Sequence, residues 1–146
     1  MTQTPTIAFV DDDSALQKVA VEGIRGFNAA LFPDHPSGQD LAIAIHDPET
    51  HEPVGGLCGR TAGGWLAINL LFVPDALRGM GLATRLIAMA EDEAKRRGCH
   101  AAWLDTLNPQ ALPLYQRLGY QIFGELKDYP AGNSRLFLQK KLSTIA

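Results

Sequence analysis

Cysteine is scarce in this chain: Cys58 and Cys99 are the only two. That rules out a small disulfide-stapled scaffold, and nothing in the composition calls for an oxidising compartment. Basic residues are also in short supply, with 13 Lys+Arg against 16 Asp+Glu and a formal net charge of −3. Proteins that track a phosphate backbone carry the opposite bias, so nucleic acid is not expected as a partner. No apolar run reaches the ~18 residues that a membrane-spanning helix needs, and no membrane partner is expected. The four histidines, His35, His46, His51 and His100, are scattered without an H-x₃-H pair, so no metal site is expected. Residues 1–6, Met-Thr-Gln-Thr-Pro-Thr, lack the basic region and apolar stretch of a signal peptide, and the expectation is a cytoplasmic protein.

What remains is ordinary globular material, 146 residues at 46% hydrophobic and 20% charged. This length suits one domain, residues 1–146, able to bury roughly 70% of the surface its unfolded chain exposes. Ile7 and Phe9 alternate as in a half-buried strand over residues 6–10. Asp11, Asp12 and Asp13 then precede Leu16, Val19, Ala20, Ile24, Phe27 and Leu31, which recur at helical spacing up to Pro33. Acidic residues in that place read as a helix cap. Residues 41–46, 54–60 and 65–73 read as an antiparallel meander joined by turns rich in Pro, Asp and Gly. A helical stripe follows through Leu82, Leu86, Ala90 and Ala94, widened by Ile87 and Met89 and stopped at Gly98. Residues 100–104 form a short apolar strand, 112–118 a short helix closed by Gly119, and 120–126 and 134–142 two last strands. Cys58 and Cys99 both fall where a small buried hydrophobe is expected. The order β-α-β-β-β-α-β-α-β-β predicts an α/β fold.

The stretch that carries chemistry is Val73-Pro-Asp-Ala-Leu-Arg78-Gly79-Met80-Gly81-Leu82-Ala83-Thr84, in which a strand ends, a glycine loop follows and a helix starts. Backbone N–H groups at a helix N-terminus are unpaired and partly positive, which suits phosphate. Gly79 and Gly81 permit close approach of the main chain to a ligand, and Arg78 adds a cation. A dinucleotide fingerprint needs Gly or Ala where Thr84 stands, and a Walker A loop needs a closing Gly-Lys-Ser/Thr that is absent.

Arg78-x-x-Gly81-x-Ala83 after a strand ending in Val73-Pro74 resembles the acyl-CoA pyrophosphate loop of the GNAT superfamily of N-acetyltransferases. Gly55-Gly56-Leu57 upstream, and Asp105-Thr106, Gln110-Ala111 and Tyr115-Gln-Arg-Leu-Gly119-Tyr120 downstream, are similar to that family too. The resemblance covers nearly the whole chain. It implies a mixed, mostly antiparallel sheet flanked by helices, and an enzyme that moves an acetyl group from acetyl-CoA to a primary amine of a small molecule or peptide. It further implies that main-chain groups of Leu71, Phe72 and Val73 pair with the pantetheine arm in a splay between two parallel strands. Arg78, Gly79, Met80, Gly81, Leu82, Ala83 and Thr84 would hold the pyrophosphate, and Asn108 would contact the cofactor arm. Tyr115 would stand near the thioester sulfur as general acid. Pro113 limits the helix to a start close to itself, which leaves Asn108 outside it. A homodimer is a further implication of the resemblance.

Direct attack requires a neutral amine. At pH 7 an alkyl ammonium of pKa ~10.4 is neutral in only about one part in 10³ to 10⁴. The strand before the loop carries no carboxylate, only Asn69; Asp105 is the nearest acidic residue, a base or an acceptor for loop amides, and a water relay is the favoured route. A covalent acetyl-cysteine route lacks a His-Asp partner set around either cysteine. Phe27, Asn28, Phe32 and His35, with Asp128 and Tyr129, are the candidates for lining an amine pocket. A non-catalytic acyl-CoA sensor would keep the same loop and dispense with Tyr115. A purely structural partner protein would not respond to acetyl-CoA at all.

Overall fold

Residues 3–35 and 37–143 are described by the computed structural model, and the chain forms two compact units, residues 1–35 and 36–146. In the first unit the expected helix is α1, Ser14–Leu31, with Asp13 at its N-cap. Asp12 Oδ1 accepts hydrogen bonds from the Ser14 N–H at 3.0 Å and the Ser14 hydroxyl at 2.6 Å. Those bonds hold the Asp12 carboxyl below the usual range; Asp12 serves the helix start, whereas the Asp13 side chain makes no cap bond. No residue of α1 is buried. Residues 6–10 are a correction: they form no strand, and Ile7 and Phe9 are fully exposed. Alternation is only half of what a strand needs. The other half is a neighbour to take its backbone hydrogen bonds, and no described strand pairs with this segment.

The second unit is built on a six-stranded sheet of order β1-β2-β3-β4-β6-β5. β1 (Gln39–His46), β2 (Pro53–Ala62) and β3 (Trp65–Phe72) form the expected antiparallel meander. A single 3-10 turn, Asp75–Leu77, leads into α2, Leu82–Arg96. The connection returns to β4 (Ala101–Thr106), which lies parallel to β3. After α3 (Leu112–Arg117) come β5 (Gln121–Lys127) and β6 (Ser134–Lys141), and β6 enters between β4 and β5.

One face of this sheet holds the core. Leu41, Leu57, Leu66, Ile68, Leu104 and Leu138 are buried together with Leu86, Ile87, Ala90 and Ala94 of α2. At about 25 cal/mol per Å² of apolar surface, each buried Leu or Ile contributes on the order of 2 kcal/mol. Two expectations about burial change here. Met89 is 53% exposed and does not belong to the stripe, whereas Glu91 does. Cys99 is buried but Cys58 is exposed, because its β2 position pairs with Ala42 and Leu70 on the sheet face away from the core. Among the described residues, no helix is long and apolar enough to cross a membrane.

Candidate active site

The parallel pairing of β3 with β4 runs from Trp65↔Ala101 to Ile68↔Leu104 and stops. Beyond it each strand keeps only its other neighbour. β3 continues against β2 as far as Phe72↔Gly56, and β4 continues against β6 as far as Thr106↔Leu136. A register shift in β2–β3, where Cys58 opposes Leu70 and Gly59 opposes Ile68, places a bulge at Asn69 just where the two parallel strands separate. Main-chain groups of Leu71 and Phe72 on β3 therefore lie along a divided part of the sheet. Such an edge can accept an extended ligand as an added strand.

Past the 3-10 turn the chain reaches the glycine loop. Gly79 and Gly81 have φ of +80° and +73°, a conformation that L side chains rarely adopt. A Cβ at either would meet nothing within 4 Å, so the space above the loop is open. The first hydrogen bond of α2 is Arg85 N–H to Gly81 C=O at 3.1 Å, and no side chain caps the helix. Among the described residues, the N–H groups of Gly79, Met80, Gly81, Leu82, Ala83 and Thr84 have no backbone acceptor. A run of donors at a helix N-terminus, beside two glycines, fits the pyrophosphate of an acyl-CoA. Arg78 folds back at the surface, with Nη1 2.9 Å from Asp75 Oδ1 and Nε 3.5 Å from the Val73 carbonyl. An exposed pair of that kind contributes little and can open to a phosphate.

α3 starts at Leu112 with Pro113 in its first turn, which leaves Asn108 in the preceding loop. There Asn108 Oδ1 accepts the Gln110 N–H at 3.0 Å, and its own N–H donates to Thr106 Oγ1 at 3.0 Å. Tyr115 is buried on α3, and its ring meets that of Tyr120 edge-on at 6.4 Å. Burial pushes the Tyr115 hydroxyl above its ordinary pKa, so the group stays protonated at neutral pH. No enclosed side-chain polar atom lacks a partner among the described residues. Because the Tyr115 hydroxyl makes no hydrogen bond, it must retain an opening. Asp105, near the end of β4, has Oδ2 held by Arg135 Nε at 2.6 Å. The same guanidinium stacks 5.3 Å from the ring centroids of Tyr129 and Phe137.

Sequence reasoning did not anticipate Arg135 as the partner of Asp105, nor the contacts of Glu91 with Tyr120 and Lys140. For Glu91 a signal was present: it follows Ile87 and precedes Ala94 at helical spacing on the apolar stripe, so a carboxylate had to be buried. Among the described residues, no group of His, Cys, Asp and Glu converges to hold a metal ion.

The fold and this arrangement have clear relatives. Residues 12–120 match the model of the acetyltransferase (GNAT) family. An acetyltransferase of Agrobacterium fabrum is 42% identical over 129 residues, covering 88% of this chain and 93% of its own. The blasticidin-S acetyltransferase of Streptomyces morookaense is 41% identical over 95 residues, covering 64% and 70%. A crystal structure of an Agrobacterium tumefaciens protein assigned as an acetyltransferase superposes with a TM-score of 0.85 at 40% identity, covering 95% of this chain and 99% of that one. The chain belongs to the GNAT family of acetyltransferases. It is an N-acetyltransferase that draws on an acyl-CoA.

Proposed function

We propose that the protein transfers an acetyl group from acetyl-CoA to a primary amine of a small molecule or peptide, by direct attack in a ternary complex. The observation that carries this reading is the run of unbonded N–H groups from Gly79 to Thr84, reached directly from the divided end of β3. Bound there, acetyl-CoA supplies a thioester carbon for the amine to attack. Leu71, Phe72 and Val73 hold the pantetheine arm by main-chain pairing, and Gly79, Met80, Gly81, Leu82, Ala83 and Thr84, with Arg78 swung from Asp75, hold the pyrophosphate. The Asn108 side-chain nitrogen, free of partners among the described residues, donates to the arm.

Recovering a neutral amine at pH 7 requires roughly 4–5 kcal/mol of help. Asp105 Oδ1, the oxygen not held by Arg135 Nε, receives that proton directly or through water. As the carbon–nitrogen bond forms and the carbon–sulfur bond breaks, the Tyr115 hydroxyl gives its proton to the departing sulfur, and the second proton of the attacking nitrogen returns the phenolate to the phenol. Burial raises the pKa of that hydroxyl, so it is protonated when the thiolate forms.

A relative named for blasticidin-S supports a small-molecule acceptor, and Asp128 and Tyr129 on the β5–β6 hairpin offer a carboxylate and a phenol for recognising it. The family model runs across residue 35, which supports reading residues 1–146 as one acetyltransferase domain. An exposed free thiol at Cys58 fits a reducing cytoplasm. Edge strand β5, with Ile122, Phe123 and Leu126 exposed, offers a pairing surface for a homodimer.

Thermal unfolding with acetyl-CoA tests the core of the proposal. Ligand at about 100 times its dissociation constant stabilises by roughly 2.7 kcal/mol, a shift of several degrees at this size. Tyr115→Phe retains that shift but lowers thiol release with an amine panel by about 10²-fold. No shift at saturating acetyl-CoA overturns the assignment.

A further inference from the structure

Glu91 is 7% exposed, on the face of α2 that is otherwise apolar. A carboxylate in that position must be paired, and even a well-paired one is seldom more stabilising than apolar side chains of the same volume. Both of its oxygens are engaged. Oε2 accepts the Tyr120 hydroxyl proton at 2.8 Å, and Oε1 accepts from Lys140 Nζ at 2.7 Å. The Lys140 ammonium also lies 5.6 Å from the centroid of the Tyr120 ring. One buried carboxylate thus ties together α2, the turn closing α3, and β6.

The set is aimed at Tyr115. Tyr120 donates its backbone N–H to the Tyr115 carbonyl at 3.0 Å, and the two rings meet edge-on. Gly119, at φ +98°, passes beneath Lys140, where a Cβ would stand 3.4 Å from Lys140 Cε. α3 itself has only 6 residues, too few for its own hydrogen bonds to hold it in place. α2, by contrast, carries the bare N–H groups at its first turn and Glu91 roughly 13 Å further along its axis, at 1.5 Å per residue.

We infer that Glu91, Tyr120 and Lys140 form a positioning device that holds the Tyr115 hydroxyl at a fixed distance from the phosphate-binding turn of α2. The inference rests on the reading of Tyr115 as proton donor. A pantetheine arm anchored at its pyrophosphate end and held extended by the main chain of Leu71, Phe72 and Val73 would bring its sulfur to one place. α2 then acts as the ruler that brings the tyrosine to that place. Lys140 holds one oxygen of Glu91, and the other orients the Tyr120 ring that Tyr115 meets edge-on.

Protein labelled with ¹³C at tyrosine Cζ carries probes at Tyr115, Tyr120 and Tyr129, the three tyrosines of the chain, assigned by Tyr→Phe replacement. Acetyl-CoA titrated into the unaltered protein is expected to shift the Tyr115 signal. In Tyr120→Phe and in the isosteric Glu91→Gln, the acetyl-CoA dissociation constant stays within about threefold, while the Tyr115 shift falls by about half or more. With an amine that gives turnover, kcat falls about tenfold or more at unchanged KM for acetyl-CoA, the signature of a displaced group rather than lost binding. Tyr120→Phe added to Tyr115→Phe lowers kcat no further, because the two act through one proton. A full Tyr115 shift and full kcat in both variants overturn the positioning role and leave the acetyltransferase reading intact. Absence of acetyl-CoA binding by the unaltered protein, or binding without a Tyr115 shift, removes the proton-donor reading and the inference with it. Loss of folding in both variants makes the set a requirement of the fold and overturns the inference.

Discussion

The two ends of α2 are finished in opposite ways. At the C-terminal end the carbonyls of Glu93, Ala94 and Lys95 all receive donors. Arg97 N–H reaches Glu93 and Ala94 carbonyls at 3.1 Å, Gly98 N–H reaches Lys95, and Cys99 N–H reaches Ala94, both at 2.9 Å. Lys95 and Arg96 oppose the negative end of the helix dipole. The Arg97 guanidinium ties the end to Gln39, Asp40 and Thr61 at 3.1 to 3.3 Å. At the N-terminal end there is no side-chain cap, no acidic residue in the first turn, and glycine on the approach. A good N-cap contributes about 1 kcal/mol, and under the proposed function acetyl-CoA completes this bare end instead.

The contrast can be broken from either side. The largest effect is expected from Gly81→Trp, which fills the open space above the loop. Acetyl-CoA binding should weaken by about 10²-fold or more, removing the thermal shift, while circular dichroism stays that of the parent; strain at this φ costs on the order of 1–2 kcal/mol. Next comes Thr84→Asp, which supplies the missing first-turn charge. It should raise stability by about 0.3–1 kcal/mol and weaken acetyl-CoA by about tenfold, so that calorimetric stability and affinity move in opposite directions. Midway along the helix the signature is alkaline. Burial raises the pKa of both Tyr115 and Tyr120, and the Glu91 charge adds to the effect on Tyr120. The folded state then keeps protons that the unfolded chain releases above pH ~10, so these two tyrosines add no slope from pH 7 to 9. It falls beyond pH ~10 by up to about 1.4 kcal/mol per pH unit for each tyrosine. Tyr120→Phe should flatten that slope in denaturant titrations. The smallest effect is expected from Gly98→Ala at φ +86°. It should cost about 1 kcal/mol in stability and leave acetyl-CoA affinity unchanged.

How much of this was legible in the sequence follows from how local each feature is. The glycine loop, α2 and its stop at Gly98 depend on neighbours a few residues away, and they stand where periodicity and turn chemistry place them. The short helix around Tyr115 does too, with Pro113 in its first turn. Features that depend on distant partners were not legible. Asp105 and Arg135 are 30 residues apart, and Glu91 is 29 from Tyr120 and 49 from Lys140. Their pairing follows from strand order, which local pattern does not encode. Residues 6–10 fail for the reverse reason: the alternation of Ile7 and Phe9 suits a strand, but no neighbouring strand takes it up. Cys58 and Cys99 look alike in sequence, but Cys58 falls on the outer face of β2 while Cys99 is buried in the turn after α2.

The position of β6 has a consequence for synthesis. The strand made after all the others is not at an edge; it fills the gap between β4 and β5. Until its residues leave the ribosome, β4 has no neighbour on one side and β5 has none at all. A chain released just before Ser134 would contain the whole glycine loop and Tyr115 yet lack Leu138 and Lys140. Such a chain should expose one unsatisfied edge of β4 and both edges of β5, and draw on chaperones.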